Sequence, residues 1–210
     1  MHSFTVDDFI NSLESVTVSR ETIEKLKIYA ELLKKWQKTI NLVSSATIPD
    51  MWQRHFLDSA QLIKYFPKGA KKLVDMGSGA GFPVLVLALL NPNPELEIHA
   101  IESDTRKVAF MREVIRNCQL TVNVHNCRIE QTAPFPAQII TARALAPLRD
   151  LLTYVHPFIT NDSVCLFLKG QNIDTEIKDM HRKWNAEIDL QPSLSDPSGK
   201  VAIIRNVREI

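Results

Sequence analysis

An α/β fold carrying an N-terminal helical cap is predicted by three observations. From residue 72 onward, short apolar runs alternate with amphipathic segments, as in strands and helices wound into a parallel sheet. Three glycines at every second position, Gly77, Gly79 and Gly81, join the first of those strands to the first helix. Residues 1 to about 68 instead carry apolar residues at spacings of three and four, a helical pattern.

In the cap, Thr5 with Asp8 three residues later reads as a capping box, starting a short helix to about Glu14. Ser19 caps a longer helix whose stripe is Ile23, Leu26, Ala30, Leu33, Trp36 and Ile40. Pro49 opens a third, carried by Met51, Trp52, Phe56, Leu57, Ala60 and Ile63 to about Tyr65, and Pro67 and Gly69 end it. Three such helices bury too little surface alone, so the cap (residues 1–68) is expected to pack on the domain behind it (69–210). Polar residues interrupt the amphipathic frame at Asn41-Leu42-Val43-Ser44 and Arg54-His55-Phe56-Leu57-Asp58-Ser59. Arg54 and Asp58, four apart, have the spacing of a pair along one helix, and His55 that of a hydrogen-bonded packing residue.

The central stretch is Lys72-Leu73-Val74-Asp75-Met76-Gly77-Ser78-Gly79-Ala80-Gly81-Phe82-Pro83. A strand ends in the acid, the glycines turn, and Pro83 opens an apolar helix, Val84 to Leu90, in whose first turn its missing N–H costs nothing. Glycines let a ligand approach the main chain, and the helix start offers free N–H groups. The second strand, Glu97 to Glu102, ends in an acid suited to the two hydroxyls of a ribose. A helix over Thr105–Asn117, a third strand over Thr121–His125 and a fourth over Gln138–Thr141 follow. Cys127-Arg128-Ile129-Glu130 leaves the third strand where an adenine would lie, and Ala142 to Pro147 leaves the fourth into the ligand crevice of open sheets. A helix over Leu148–Val155, a fifth strand over Ser163–Leu168, a helix over Asp174–Asn185 and strands over Glu187–Leu190 and Val201–Arg205 complete the pattern.

The 210 residues suit one domain with an appendage, and 45% apolar with 23% charged residues is the balance of a soluble globular protein. No apolar run reaches membrane length, and the start of the chain, with Asp7 and Asp8, is no secretory signal. Cys118, Cys127 and Cys165 are odd in number and form no Cys-x-x-Cys, so buried thiols in a reducing cytoplasm are expected, with no disulfide framework or zinc site. The net charge of +1 names no partner, but from Thr105 to Arg149 seven Arg/Lys face two acids, an excess that could meet phosphates or be merely solvated.

The spacing Gly-x-Gly-x-Gly, with Asp75 two residues ahead, resembles the first motif of Rossmann-like S-adenosylmethionine-dependent methyltransferases, not the Gly-x-Gly-x-x-Gly of dinucleotide binders. With the two cap motifs, Arg143-Ala144 and Leu168-Lys169-Gly170, nearly the full chain resembles the bacterial 16S ribosomal RNA guanine-N7 methyltransferases called RsmG or GidB. The resemblance implies S-adenosyl-L-methionine as cofactor, held by Asp75, Gly77, Gly79, Gly81, Phe82, Glu102, Ile129, Glu130 and Arg143. It implies 16S ribosomal RNA or the small ribosomal subunit as partner, met by Asn41, His55 and Lys169, with Arg143 and Lys169 orienting the reacting base. A cytoplasmic monomer without a metal is expected. One departure is Val84, where the family usually has glycine, which should alter helix packing.

The chemistry implied is undemanding. Guanine N7 has an in-plane lone pair, so no general base is needed and alignment is the main task. Lys169, at a strand end, is expected to lay its stem along apolar surface and reach outward. Two other readings share these residues. A nicotinamide-dependent oxidoreductase lacks support from the glycine spacing, and a non-catalytic RNA-binding module would differ only in not turning over the cofactor.

Overall fold

The computed structural model describes residues 4–13 and 18–210. Seven strands form one sheet in the order β3-β2-β1-β4-β5-β7-β6. β1 (Lys72–Met76), β2 (Glu97–Ile101), β3 (Asn123–His125), β4 (Ile139–Arg143) and β5 (Val164–Lys169) are parallel, and β7 (Lys200–Glu209) runs antiparallel between β5 and β6 (Trp184–Pro192). The chain leaves β1 for β2 on one side and later returns to β4 on the other. The strand order therefore reverses at β1/β4, and a crevice opens beyond the carboxyl ends of those strands.

Strand residues alternate between two buried clusters, as the pleat requires. Leu73, Ile98, Ile139, Leu166 and Val201 face the helical cap with α4 (Val84–Leu90) and α5 (Thr105–Cys118). Val74, Ile101, Ile140, Phe167 and Ala202 face α6 (Leu148–Val155) and α7 (Ile173–Met180). Val84, the departure from the family pattern, is fully buried at the start of α4, with Pro83 just before it.

The cap comprises α1 (Val6–Asn11), α2 (Arg20–Gln37) and a helical run over residues 52–65, and it shares one continuous core with the sheet. Thr5 and Asp8 form the reciprocal capping box, and Ser19 caps α2. The expected end of the first helix, Glu14, lies outside the described residues. α2 stops at Gln37, short of Ile40, because the Gln37 amide accepts from the N–H groups of Leu42 and Val43 and folds the chain back. The third helical run begins with a π-helical segment, Trp52–Leu57, before α3 (Asp58–Ala60) and a 3-10 turn, Gln61–Tyr65.

The helix expected over Asp174–Asn185 ends at Met180, and β6 begins three residues earlier than expected, at Trp184. Trp184 is buried and its indole N–H donates to the Arg149 carbonyl. Ala186, Ile188 and Leu190 then alternate on the same face with exposed neighbours, and this period of two wins over the helix. No helix among the described residues is long and apolar enough to cross a membrane.

Candidate active site

The crevice encloses about 1020 Å³, ample for a nucleoside with a second group beside it. Its floor is the glycine turn. Gly79 has φ +56°, and a Cβ built there would meet nothing nearer than the Gly77 carbonyl at 3.9 Å, so the main chain is bare toward the crevice. Gly77 also lines the crevice, and a Cβ there would come within 2.7 Å of the Leu145 side chain. Gly81 does not line it; a Cβ would run into Leu85 and the Tyr29 hydroxyl, so its place in the motif is a packing demand.

Glu102 follows β2 directly and ties the two ends of the site together. One carboxylate oxygen accepts from the Gly79 N–H at 2.8 Å and the other from the Asp104 N–H at 2.8 Å. Each oxygen keeps a lone pair for a further donor. Ile129 and Glu130, in the 3-10 turn after β3, line the same side, with Cys127 and Arg128 beside them.

Asp75 lies beneath this floor and is fully buried. Its Oδ1 accepts from the Thr141 hydroxyl at 2.6 Å, and its Oδ2 has no hydrogen-bond partner among the described residues. Burial pushes its carboxyl up to about 7, against the pull of the neighbouring Ser78 and Thr141 hydroxyls, of which Ser78 donates to the Asp75 main-chain carbonyl.

Arg143, the last residue of β4, forms the opposite wall. Its guanidinium lies 5.0 Å from the Phe82 ring centroid, a cation–π contact, and its Nη1 donates to His55 Nδ1 at 2.9 Å. The Arg54 carbonyl at 3.4 Å and Asp58 Oδ2 at 3.7 Å complete the surroundings of Nη1. An arginine only donates, so His55 Nδ1 is the acceptor and the ring proton sits on Nε2, which donates to Thr47 Oγ1 at 2.7 Å; that hydroxyl in turn donates a hydrogen bond to the Ser44 carbonyl. The His55 ring is thus neutral and oriented at both ends. Its pKa is lowered to about 3 by burial and by the Arg143 and Arg54 charges.

The sign of the resulting pH dependence follows. Unfolded histidine takes up a proton near 6.5, whereas folded His55 resists it to about 3. Its contribution to stability is therefore full above 6.5 and is lost as pH falls toward 3, by up to about 1.4 kcal/mol per pH unit. Asp75 acts in reverse: its folded pKa is raised, so its contribution is present below 3.8 and lost as pH rises through about 7. In urea unfolding at pH 7.5, 6 and 5, a His55→Gln protein should lose less stability on acidification than wild type, and Asp75 cancels in that difference. Parallel curves would remove His55 from the acid limb.

Arg54 and Asp58 do not pair with each other. The π-helical segment carries Arg54 outward to Asp196, at 2.6 Å, while Asp58 turns inward to Arg143 and accepts from the Ser195 hydroxyl at 2.5 Å. Gln61 adds bonds to Ser193 and to the Leu194 N–H. The β6–β7 loop is thereby fastened to the cap across the crevice, a connection with no local signal in the sequence.

Lys169 lines the crevice, but its ammonium does not reach outward. It is held by Glu176 Oε2 at 2.5 Å and by the Ala146 carbonyl at 2.9 Å, and its side chain is 9% exposed. The same Glu176 oxygen accepts from the Leu148 N–H at the start of α6, so Glu176, an unremarked acid in the sequence, organises this corner. Asn41 is exposed, 3.5 Å from the Gln37 amide, and outside the crevice lining, whereas its neighbours Leu42, Val43 and Ser44 lie in it. The cations from Thr105 to Arg149 divide: Arg106, Arg116 and Arg149 pair with nearby acids, and Lys107 and Arg128 line the crevice.

The arrangement offers a bare main-chain floor, an acid on one wall and an oriented guanidinium on the other, which suits holding a nucleoside-like group against a planar base. Comparison with known proteins places it more closely. The family described as rRNA small subunit methyltransferase G, GidB, matches residues 22–197. The ribosomal RNA small subunit methyltransferase G of Paramagnetospirillum magneticum is 50% identical over 190 residues, covering 90% of this chain and 91% of that one. Its namesake from Gluconobacter oxydans is 45% identical, covering 92% and 98%. Among solved structures, a ribosomal protein L11 methylase from Lactobacillus delbrueckii superposes with a TM-score of 0.57 at 14% identity, covering 70% of this chain and 76% of that one. A fibrillarin/Nop5p complex superposes with a TM-score of 0.55 at 12% identity, covering 73% and 81%, and both likenesses concern the fold alone.

Proposed function

The chain belongs to the rRNA small subunit methyltransferase G family, and on that premise we propose that it transfers a methyl group from S-adenosylmethionine to N7 of a guanine in 16S ribosomal RNA. The observation that carries the reading is the Gly79 main chain, bare toward a crevice that also holds Glu102 and Arg143. When bound, S-adenosylmethionine supplies an electrophilic methyl on sulfur.

The chain's own residues supply binding and alignment. Gly77, Gly79 and Phe82 form the floor against which the cofactor lies, Glu102 accepts from its ribose, and Ile129 and Glu130 flank its adenine. Asp75 and Gly81 support that floor from below. Arg143, with His55 and Asp58 fixing one arm of its fork, presents its remaining N–H groups to acceptors on the incoming base. It would repel the cation forming on the purine, so its work is orientation. Lys169, tied to Glu176 and Ala146, positions the 144–147 segment along the crevice. Asn41 and its neighbours in the cap meet RNA at the rim. The target base must be unstacked, or already lie in a loop, to enter. The protein is read as a cytoplasmic monomer in which residues 1–68 cap the methyltransferase domain of residues 69–210.

Mapping N7-methylated guanines in 16S ribosomal RNA from cells with and without this protein tests the reading. One modified guanine should vanish in its absence; an unchanged map would overturn it.

A further inference from the structure

Among the described residues, one hydrogen bond joins the cap to the glycine turn. Tyr29, on α2, is fully buried, and its hydroxyl donates to the Ala80 carbonyl at 2.6 Å across 51 residues of sequence. Ala80 sits between Gly79, at φ +56°, and Gly81, at φ +87°. The plane of the 80–81 peptide rotates about ψ of Ala80 and φ of Gly81, and on its glycine side there is little steric resistance to that rotation. Here both ends of the 80–81 peptide are held: the carbonyl by Tyr29, and the Gly81 N–H by the Ser78 carbonyl at 2.8 Å. The Tyr29 ring also stacks on Phe82, with centroids 5.0 Å apart and planes 16° from parallel, while Arg143 rests on the same Phe82 ring. The hydroxyl and ring of one cap residue thus reach the turn and the wall of the crevice together.

We infer that Tyr29 is a positioning residue for the cofactor: its hydroxyl fixes the glycine turn in its binding-competent form, so that the Tyr29–Ala80 hydrogen bond and cofactor binding are thermodynamically linked. This rests on the reading of the turn as an S-adenosylmethionine site. Linkage is reciprocal, so a cofactor that favours the fixed turn must in turn tighten α2.

Tyr29→Phe keeps the ring and removes the donor, leaving the Ala80 carbonyl buried without this partner. Calorimetric titration with S-adenosylhomocysteine, at a temperature where the variant is folded, should show a Kd raised roughly tenfold, the scale of one lost buried hydrogen bond. Leu26→Val, a truncation at another buried position of α2, should lower Tm yet leave Kd unchanged. Wild-type affinity in folded Tyr29→Phe, or an equal loss in Leu26→Val, would reduce Tyr29 to a core residue. Should Tyr29→Phe not fold, hydrogen exchange on the wild-type protein decides. S-adenosylhomocysteine should slow the amides of residues 26–33 as well as those of 77–82, and protection confined to the turn would overturn the linkage. A wild-type protein that does not bind S-adenosylhomocysteine would overturn the cofactor reading itself, and this inference with it.

Discussion

A Gly79→Val protein is expected to fold and to lose S-adenosylmethionine binding. The position has φ +56°, in the left-handed region, so any β-branched residue adds strain of roughly 1–2 kcal/mol. The space around it does not oppose the change, since the nearest atom to an added Cβ is the Gly77 carbonyl at 3.9 Å. The Glu102 bond to the residue 79 N–H also survives, because valine keeps that donor. The added methyls would instead occupy the face of the main chain against which the cofactor is proposed to lie. Calorimetry should show affinity reduced by about a hundredfold or more, roughly 2.7 kcal/mol. Near-native affinity in a folded Gly79→Val protein would mean that the cofactor approaches elsewhere.

Arg143→Lys should cut methyl transfer while sparing the fold. Lysine keeps a positive charge near Asp58, whose carboxyl is pushed up by burial and held down by Arg143. What it cannot keep is the planar fork that bonds His55 with one arm and offers others to the crevice. Losing charge-assisted bonds to the base should lower kcat/KM by about a hundredfold, within the roughly 1.5–3 kcal/mol such bonds are worth. Arg143→Ala should lose as much activity and also stability, because Asp58 is then left buried with only Ser195 and Gln61 as hydrogen-bond partners among the described residues. Urea unfolding separates the two variants. Arg143→Lys transferring methyl within threefold of wild type would show that a point charge suffices.

The sheet was legible because its strands are short apolar runs, punctuated by glycine and proline, most of them alternating with helices as far as α7. The glycine turn was legible for the same reason: few residues can follow a buried strand with three left-handed positions. The site's walls were harder. Arg54 and Asp58 have the spacing of a helical pair, but the π-helical segment turns them apart, and a helix type has no signature at that length. Lys169 reads as a surface residue at a strand end, yet its partner Glu176 lies on a helix whose register against β5 depends on tertiary packing. Tyr29 lies beside the Leu26–Ala30 stripe of α2 and carries no signal of its own until the fold brings Ala80 beneath its hydroxyl. Local chemistry was readable from local residues; contacts between distant segments were not.

The most direct measurement is restoration of the missing modification. Small-subunit RNA taken from cells lacking this protein, free or as assembled subunits, is incubated with the purified chain and methyl-labelled S-adenosylmethionine, and the labelled nucleotide is mapped. Stoichiometric label is expected on N7 of one guanine, with labelling by Gly79→Val slowed about a hundredfold or more at cofactor concentrations below its Kd and about a hundredth of the wild-type rate from Arg143→Lys. Label on another atom or base, or none on either substrate from a protein that binds S-adenosylmethionine, would contradict it.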